Sequence, residues 1–401
     1  MKASAGKRVL MLLENNPYPQ DGRVRREATA LVSAGYRVSV ISPGNGGQPW
    51  REVIAGVHVY RFPAPAGANG FFGYLWEYGY AMAATFFLSI VILFMEGFDI
   101  LHAHNPPDTF VLIAALYKIF GKSFVYDHHD LAPEMYYARF GGKGNRLVHR
   151  WLVSFERLSC RLADRVIATN HSYKKVEMER GRVLEQNITI VRNGHERARL
   201  RPVDPDPQLL AEGKIIIGYV GVMGYQDGID YLLRALRHLL YDLDRDDFFV
   251  VLIGKGDAWA SMKGLASQYG LEKHVWFTGR VADADLIRYL STADICVDPD
   301  PSNPFNDRCT MIKMMEYMAL GKPIVAFDLP EHRVTARRAA LYVRPNDELE
   351  FARALVRLMD DPICRRKMGA FGRRRIETEL AWHYCVPHLL SAYRTLVAER
   401  G

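Results

Sequence analysis

Lys313 and Glu316 stand three residues apart in IKMMEYMALGKPIVAFD (Ile312–Asp328), a run that begins like a helix and ends as an apolar strand. On a helix that spacing puts both side chains on one face. Asn306 or Asp307 is placed to cap the helix start. Such a start presents backbone N–H groups that favour a phosphate, and a carboxylate two turns farther in can accept hydrogen bonds from the vicinal hydroxyls of a ribose. The competing reading is a local Lys–Glu pair worth about 0.2–0.5 kcal/mol. A second candidate is GYVGVMGYQDGIDYLL, where Gly218, Gly221, Gly224 and Gly228 surround a strand-to-helix junction able to cradle a diphosphate. LIGKGD, with Gly254, and FTGRV, with Arg280 and Val281, are further glycine-bearing strand ends where backbone could approach a nucleotide base. Any doubly wound sheet has such turns, so a purely structural reading stays open.

A third candidate is VYDHHDLAPE, where His128, His129 and Asp130 follow a strand directly. Three titratable groups at a strand end suggest a site, although a histidine beside acids is also a common satisfied residue. A metal centre is the poorer alternative, because His102, His104, His128 and His129 converge only if the fold brings them together. Asp-x-Asp pairs occur at Asp204/Asp206, Asp242/Asp244, Asp283/Asp285 and Asp298/Asp300. Such repetition makes the pattern uninformative, and no metal is expected.

The elements that must position these groups alternate. KRVLMLLEN, GRVRREATALVSAG and YRVSVISPG read as strand, helix and strand. DILHAHNP, SFVYDHHD, DRVIATN and ITIVRNG then repeat one form, a short apolar strand spilling into His, Asp or Asn, and parallel sheets place binding groups at those ends. Prolines 202, 205 and 207 break the pattern, which sets a linker at 201–212 between a first domain over 1–200 and a second over 213–380. KIIIGYVG, FFVVLIGKG, HVWFTG, ADICVDPD, KPIVAFD and ALYVRP supply six strands for the second domain. The expected fold is α/β, with two Rossmann-like doubly wound domains.

Composition is consistent with that plan. The 401 residues are 49% hydrophobic and 24% charged, a range that supports two cores and excludes extended disorder. The five scattered cysteines suggest neither disulfides nor zinc and predict a reducing, cytoplasmic setting. VLMLL (Val9–Leu13), followed by Glu14, reads as a first strand rather than an export signal. Residues 1–200 hold 25 Lys/Arg and 17 Asp/Glu (25 − 17 = +8), whereas 201–401 hold 27 and 28 (27 − 28 = −1). A basic first half suits an anionic membrane, a nucleic acid or an acidic substrate, or is an ordinary solvated surface. GYAMAATFFLSIVILFM (Gly79–Met95) has 17 residues without a charge. Acids at both ends, and a strand directly after it, favour a helix buried in the domain, with contact along one membrane leaflet as the alternative.

Taken in order, YDHHDLAPE, DRVIATN, IVRNG, GYVGVM, LIGKGD, FTGRV, STADICVDP and EYMALGKPIVAFD resemble the family-4 retaining glycosyltransferases of the GT-B fold over nearly the whole chain. The resemblance implies an acceptor-binding first domain, a second domain that binds a nucleotide sugar, chemistry in the cleft between them, and a last helix, residues 381–401, that returns to the first domain. It implies that Glu316 holds the ribose hydroxyls, that Gly22 approaches the donor phosphate, and that His129, with Asp130 beside it, contacts the transferred sugar. Retention would follow front-face attack, with the leaving diphosphate helping to take the acceptor proton, so catalysis is positioning and charge stabilisation. No cofactor or metal is required. The co-substrate is a nucleotide-diphosphate sugar, uridine before guanosine.

Two departures stand out. The family's second acid, eight positions before the ribose acid, is here Arg308, and its diphosphate-binding Arg and Lys are here Val222 and Asp227. Lys313 and Arg308 are the candidates to replace that charge. A lysine three before the acid also resembles a bacterial polysaccharide-biosynthesis branch, which implies a glycan or lipid-linked acceptor and a peripheral place on the cytoplasmic face of the inner membrane. The competing readings are an epimerase or hydrolase of the same architecture and a non-catalytic nucleotide-sugar-binding protein. A nucleic-acid partner explains the charge but none of these motifs.

Overall fold

The chain opens with β1 (Arg8–Leu12), whose residues from Val9 onward are all buried, as a strand covered on both faces requires. Asp21 then caps α1 (Gly22–Ser33) by accepting from the Val24 N–H at 2.9 Å. In this computed structural model residues 6–64, 70–195 and 200–398 are described, 70–75 by backbone alone. The start of the proline-rich stretch at 196–199 and the last three residues of the expected final helix lie outside them.

The chain continues through β2 (Arg37–Gly44), β3 (Arg51–Ile54), β4 (Val57–Pro63), α2 (Gly70–Met95), β5 (Ile100–His104), α3 (Val111–Ile119), β6 (Ser123–His128), α4 (Ala132–Arg139), α5 (Arg146–Leu162), β7 (Arg165–Ala168), α6 (His171–Glu179) and β8 (Ile188–Ile190), all but α4 lying wholly in the first unit. Its eight strands run β3-β4-β2-β1-β5-β6-β7-β8, parallel except for β3. The β3–β4 hairpin was not foreseen. It turns at Ala55 and Gly56, both at positive φ, the geometry that two-residue hairpins use.

The second unit comprises α7 (Pro207–Ala211), β9 (Ile215–Val220), α8 (Ile229–Arg237), β10 (Phe248–Ile253), α9 (Trp259–Gln268), β11 (Val275–Gly279), α10 (Asp283–Thr292), β12 (Ile295–Asp298), α11 (Ile312–Ala319), β13 (Ile324–Phe327), α12 (Pro330–Ala336), β14 (Ala340–Val343), α13 (Glu348–Asp360) and α14 (Pro362–Arg375). Its all-parallel sheet has the order β11-β10-β9-β12-β13-β14, and the six expected strands are its six strands. One core, including Leu232, Leu236, Phe248, Phe327, Phe351 and Leu355, lies on one side, and a methionine-rich core around Met314, Met315, Tyr317 and Met318 on the other. The last helix, α15 (Trp382–Ala398), belongs to the first unit from His383 onward, and its Tyr393 OH lies 2.7 Å from His102 Nδ1.

Three expectations are corrected. The division falls between Asn193 and Gly194, and the stretch set aside as a linker contains α7, capped by Asp206 and anchored by buried Leu209; Glu134–Gly144 also groups with the second unit. α11 starts at Ile312 behind Met311, with no side-chain cap, because Asn306 and Asp307 lie in a separate turn; Glu316 is therefore its fifth residue, one turn in rather than two. The third concerns α2. Only 22% of its Trp76–Met95 stretch is buried, so it is not the interior helix that its flanking acids suggested. Glu96 accepts from the Tyr60 hydroxyl and pairs with Arg51 and His58 at the sheet edge, and hydrogen bonds hold its carboxyl down to about 2 against the opposing effect of burial.

Candidate active site

In the first unit the polar strand ends converge on α1. Alternation along β6 sends Asp127 to one face of the sheet and His128 to the other. Asp127 receives Arg23 side-on, through Nε and Nη2, both at 2.8 Å. Arg23 Nη2 also lies 3.1 Å from Glu27, and its Nη1 donates to the Val191 carbonyl at 3.1 Å and to Asn193 Oδ1 at 2.7 Å. His104 Nδ1 lies 2.9 Å from Asp127, and the His102 and His104 rings stack with centroids 4.2 Å apart. Burial favours neutral Asp127, but Arg23, and then His104 and His129, outweigh that, and its carboxyl lies well below the usual range. Burial pushes Glu27 well up and His102 and His104 down.

His129 stands at the rim of this network, its Nδ1 3.6 Å from Asp127 Oδ1. Burial disfavours its charged form, yet Asp127 wins and the imidazole is raised above its ordinary value. Asn105 fixes its backbone: Oδ1 accepts from the N–H groups of His129 (2.8 Å) and Asp130 (3.1 Å), and Nδ2 donates to the Asp130 carbonyl at 2.6 Å. Burial raises Asp130, and Asp21 adds to that rise. Gly22, between Asp21 and Arg23, belongs to the same neighbourhood; a Cβ there meets only Arg26 Nη1, at 3.3 Å. His128 is separate. It is fully buried with Nδ1 3.2 Å from Glu177 and Nε2 3.6 Å from Glu156. Those two acids overcome desolvation and raise it to about 10, which makes it a structural imidazolium.

In the second unit three glycine-bearing strand ends close on one another. The Gly221 N–H donates to the Ile253 carbonyl at 3.0 Å, and the Gly254 N–H to the Gly279 carbonyl at 2.9 Å. A Cβ on Gly254, at φ +130°, would lie 1.9 Å from the Gly221 carbonyl oxygen. α11 docks beside them, where the Val220 N–H donates to the Tyr317 hydroxyl at 2.9 Å. That leaves Glu316 half-buried, one residue from this anchor. Gly224 donates its N–H to Asp227 at 2.8 Å, so the aspartate that replaces a family cation is folded back onto its own loop. Arg280 is exposed, Val281 packs against the methionine-rich core, and Arg308 is half-buried in its turn, donating to the Pro304 carbonyl.

Lys313 is held tightly. Its Nζ lies 2.6 Å from Asp300 and 3.3 Å from Asp298, over the Tyr219 ring at 5.0 Å. Burial opposes its charge, but the two acids outweigh that and push the ammonium well above its ordinary value. Burial and neighbouring Asp298 push Asp300 well up; burial also raises Asp227. Asp298 is lowered, because Lys313 and His332 together outweigh its own burial.

Sequence reasoning thus missed Arg23, Glu27, Asn105, Asp127 and Asn193, and set Asp298/Asp300 aside as one of several equal pairs. Their shared signal was a position at, or facing, the C-terminal end of a strand. Among the described residues two groups bring ligand-type atoms within 4.8 Å of one another: Glu27, His102, His104 and Asp127, and Asp298, Asp300 and His332. Each already faces a cation of the protein, Arg23 or Lys313. A cavity of about 360 Å³ bordered by His195, Arg201, Arg373 and Glu377 touches α11 only at its last residue, Ala319, away from the glycine turns.

Comparison with known proteins agrees with these two units. Residues 22–194 match the model of a glycosyl transferase 4-like domain, and residues 214–361 that of glycosyl transferases group 1. An uncharacterized glycosyltransferase of Methanocaldococcus jannaschii is 26% identical over 93% of each chain. A phosphatidyl-myo-inositol mannosyltransferase of Mycobacterium leprae is 25% identical over 75% of this chain and 74% of its own length. Among solved structures, sucrose-phosphate synthase from Thermosynechococcus elongatus aligns with a TM-score of 0.81 at 20% identity over 98% and 100% of the chains. Anabaena HepE in complex with UDP-glucose aligns at 0.70 and 15% identity over 97% and 99%. At such identities these two structures speak for the fold alone. The two domain models follow one another along the chain, and the full-length relative is itself a glycosyltransferase; the chain therefore belongs to the family-4 glycosyltransferases of the GT-B fold and transfers sugar.

Proposed function

We propose that this transferase takes a sugar from a nucleoside-diphosphate donor held by the second unit, with retention of configuration and without a metal, and passes it to a glycan or lipid-linked acceptor held by the first. The carrying observation is the closure of Gly221, Gly254 and Gly279 on one another beside α11, the helix that carries Glu316. Glu316 accepts the ribose hydroxyls, and the turn at Gly221–Gly224 approaches the diphosphate. His129, whose charged form Asp127 favours, donates to the transferred sugar as charge develops on the leaving diphosphate. Uridine is the proposed base, in keeping with the UDP-glucose bound by the similar Anabaena protein. A lipid-linked acceptor agrees with the name of the mycobacterial relative and with the basic first half, and the proposed working position is the cytoplasmic face of the membrane.

The test is a panel of UDP- and GDP-sugars incubated with lipid-linked and soluble glycan acceptors, with and without EDTA, the anomeric configuration of the product being read by proton NMR. The proposal expects an EDTA-insensitive product that keeps the donor's configuration. An inverted product contradicts the mechanism, and nucleotide released equally without acceptor would indicate a hydrolase.

A further inference from the structure

α2 is built inside out for a helix facing water. Its sheet-facing stripe, Ala81, Thr85, Ser89 and Ile92, is fully buried yet mostly small or hydroxylated. Its outward stripe is large and apolar: Phe87, Val91 and Phe94, the last 84% exposed. A helix on a water-soluble domain carries the reverse pattern. The Ser89 hydroxyl lies 2.8 Å from the Tyr117 hydroxyl, which sets α3 alongside α2. On α3 the outward residues are again apolar and at helical spacing: Leu112, Leu116 and Ile119, the last 80% exposed. α5 packs on the other side of α3. It exposes Leu147 and Trp151 together with Arg146, Arg150, Arg157 and Arg161, while its one acid, Glu156, is buried.

Three neighbouring helices thus present large apolar side chains, bordered by arginines with no exposed acid on α3 or α5. Large apolar side chains gathered on neighbouring helices and rimmed by charge mark an interaction surface. By length and composition alone α2 could cross a bilayer. However, β4 before it and β5 after it lie in one sheet, and its inner stripe is buried against that sheet, so it lies along a surface instead. We infer that the outer faces of α2, α3 and α5 form a membrane-docking surface, whose apolar residues enter the headgroup–acyl boundary of one leaflet while the α5 arginines bind anionic headgroups. Charge complementarity selects this occupant over a second copy of the chain, which would set arginine against arginine in a symmetric pairing. The assignment gives a place to the membrane-face reading above, but it does not depend on donor or acceptor identity.

The test is co-sedimentation of the full-length protein with vesicles of phosphatidylcholine alone or with 30% phosphatidylglycerol, at about 50 mM and about 500 mM salt. The inference expects binding to the anionic vesicles, weakened by salt. F94E/I119E should weaken it at least tenfold. R150E/R157E should reduce binding to the anionic vesicles to the level on phosphatidylcholine. Circular dichroism and nucleotide binding, which use other residues, report whether the variants are folded and keep a failure here distinct from a failure of the transferase reading. Failure of the parent to bind anionic vesicles, or binding by a folded F94E/I119E equal to the parent's, overturns the inference. A dimer that F94E/I119E dissociates, without vesicle binding, assigns the face to a second copy instead.

Discussion

Replacing Lys313 by methionine keeps its length and removes its charge. In the second unit that charge faces Asp300 at 2.6 Å and Asp298 at 3.3 Å, with the acids 1% and 0% exposed. Removing one partner of a buried ion pair leaves the other charge uncompensated and costs about 3–5 kcal/mol. For a unit of this size that is a fall of roughly 6–20 °C in melting temperature, at about 2–4 °C per kcal/mol. The cost depends on pH in a defined direction. Asp300 is already pushed well up, by burial and then by Asp298, with Lys313 the main force holding it down. Without the ammonium both acids rise, folding takes up a proton, and the variant loses stability as pH increases. The difference between parent and Lys313→Met should be about 3–5 kcal/mol at pH 8 and shrink on acidification, read by urea denaturation followed by circular dichroism. A difference below about 1 kcal/mol at pH 8, or one that does not shrink on acidification, would refute the claim that Lys313 is the buried counter-ion of these acids.

Gly254→Ala places a Cβ 1.9 Å from the Gly221 carbonyl oxygen at a backbone angle closed to alanine, so nucleotide binding should be lost and the second unit destabilised by about 2 kcal/mol or more; Gly264→Ala, in open space on α9, is the neutral control, both checked by calorimetry and denaturation. His128, raised to about 10 in the fold against an ordinary 6.5, gives a contribution that is complete below pH 6.5 and disappears as pH rises through about 10. Up to about 5 kcal/mol is at stake, and denaturation between pH 6 and 10 should slope downward in the parent and flatten in His128→Gln.

The strands were legible because each is short, apolar and ended by polar residues or glycine, and all of those singled out are present. The hairpin β3–β4 was passed over although VIAGVHV carries its turn, since one exposed strand dilutes the apolar signal. Glu316, Lys313 and the glycine turns could be named from spacing, but the acids that hold Lys313 could not: Asp298 and Asp300 share their pattern with other pairs along the chain, and only the fold brings them to α11. His128 and His129 are adjacent in sequence and opposite in role, a split decided by which face of β6 each one meets. The inverted helix α2 was misjudged for a physical reason. Charge-free composition shows that a segment avoids water, not which solvent replaces it; that depends on which stripe the sheet covers.

The central claim is that the second unit binds the donor through Glu316. Calorimetric titration of UDP-, GDP- and ADP-sugars into the parent and Glu316→Ala tests it most directly. The account predicts selective binding by the parent, with UDP-sugars preferred, and at least tenfold weaker binding by the folded variant, since hydrogen bonds to a charged group contribute about 1.5–3 kcal/mol. Equal affinity in parent and variant, or no nucleotide sugar bound by a folded parent, would contradict it.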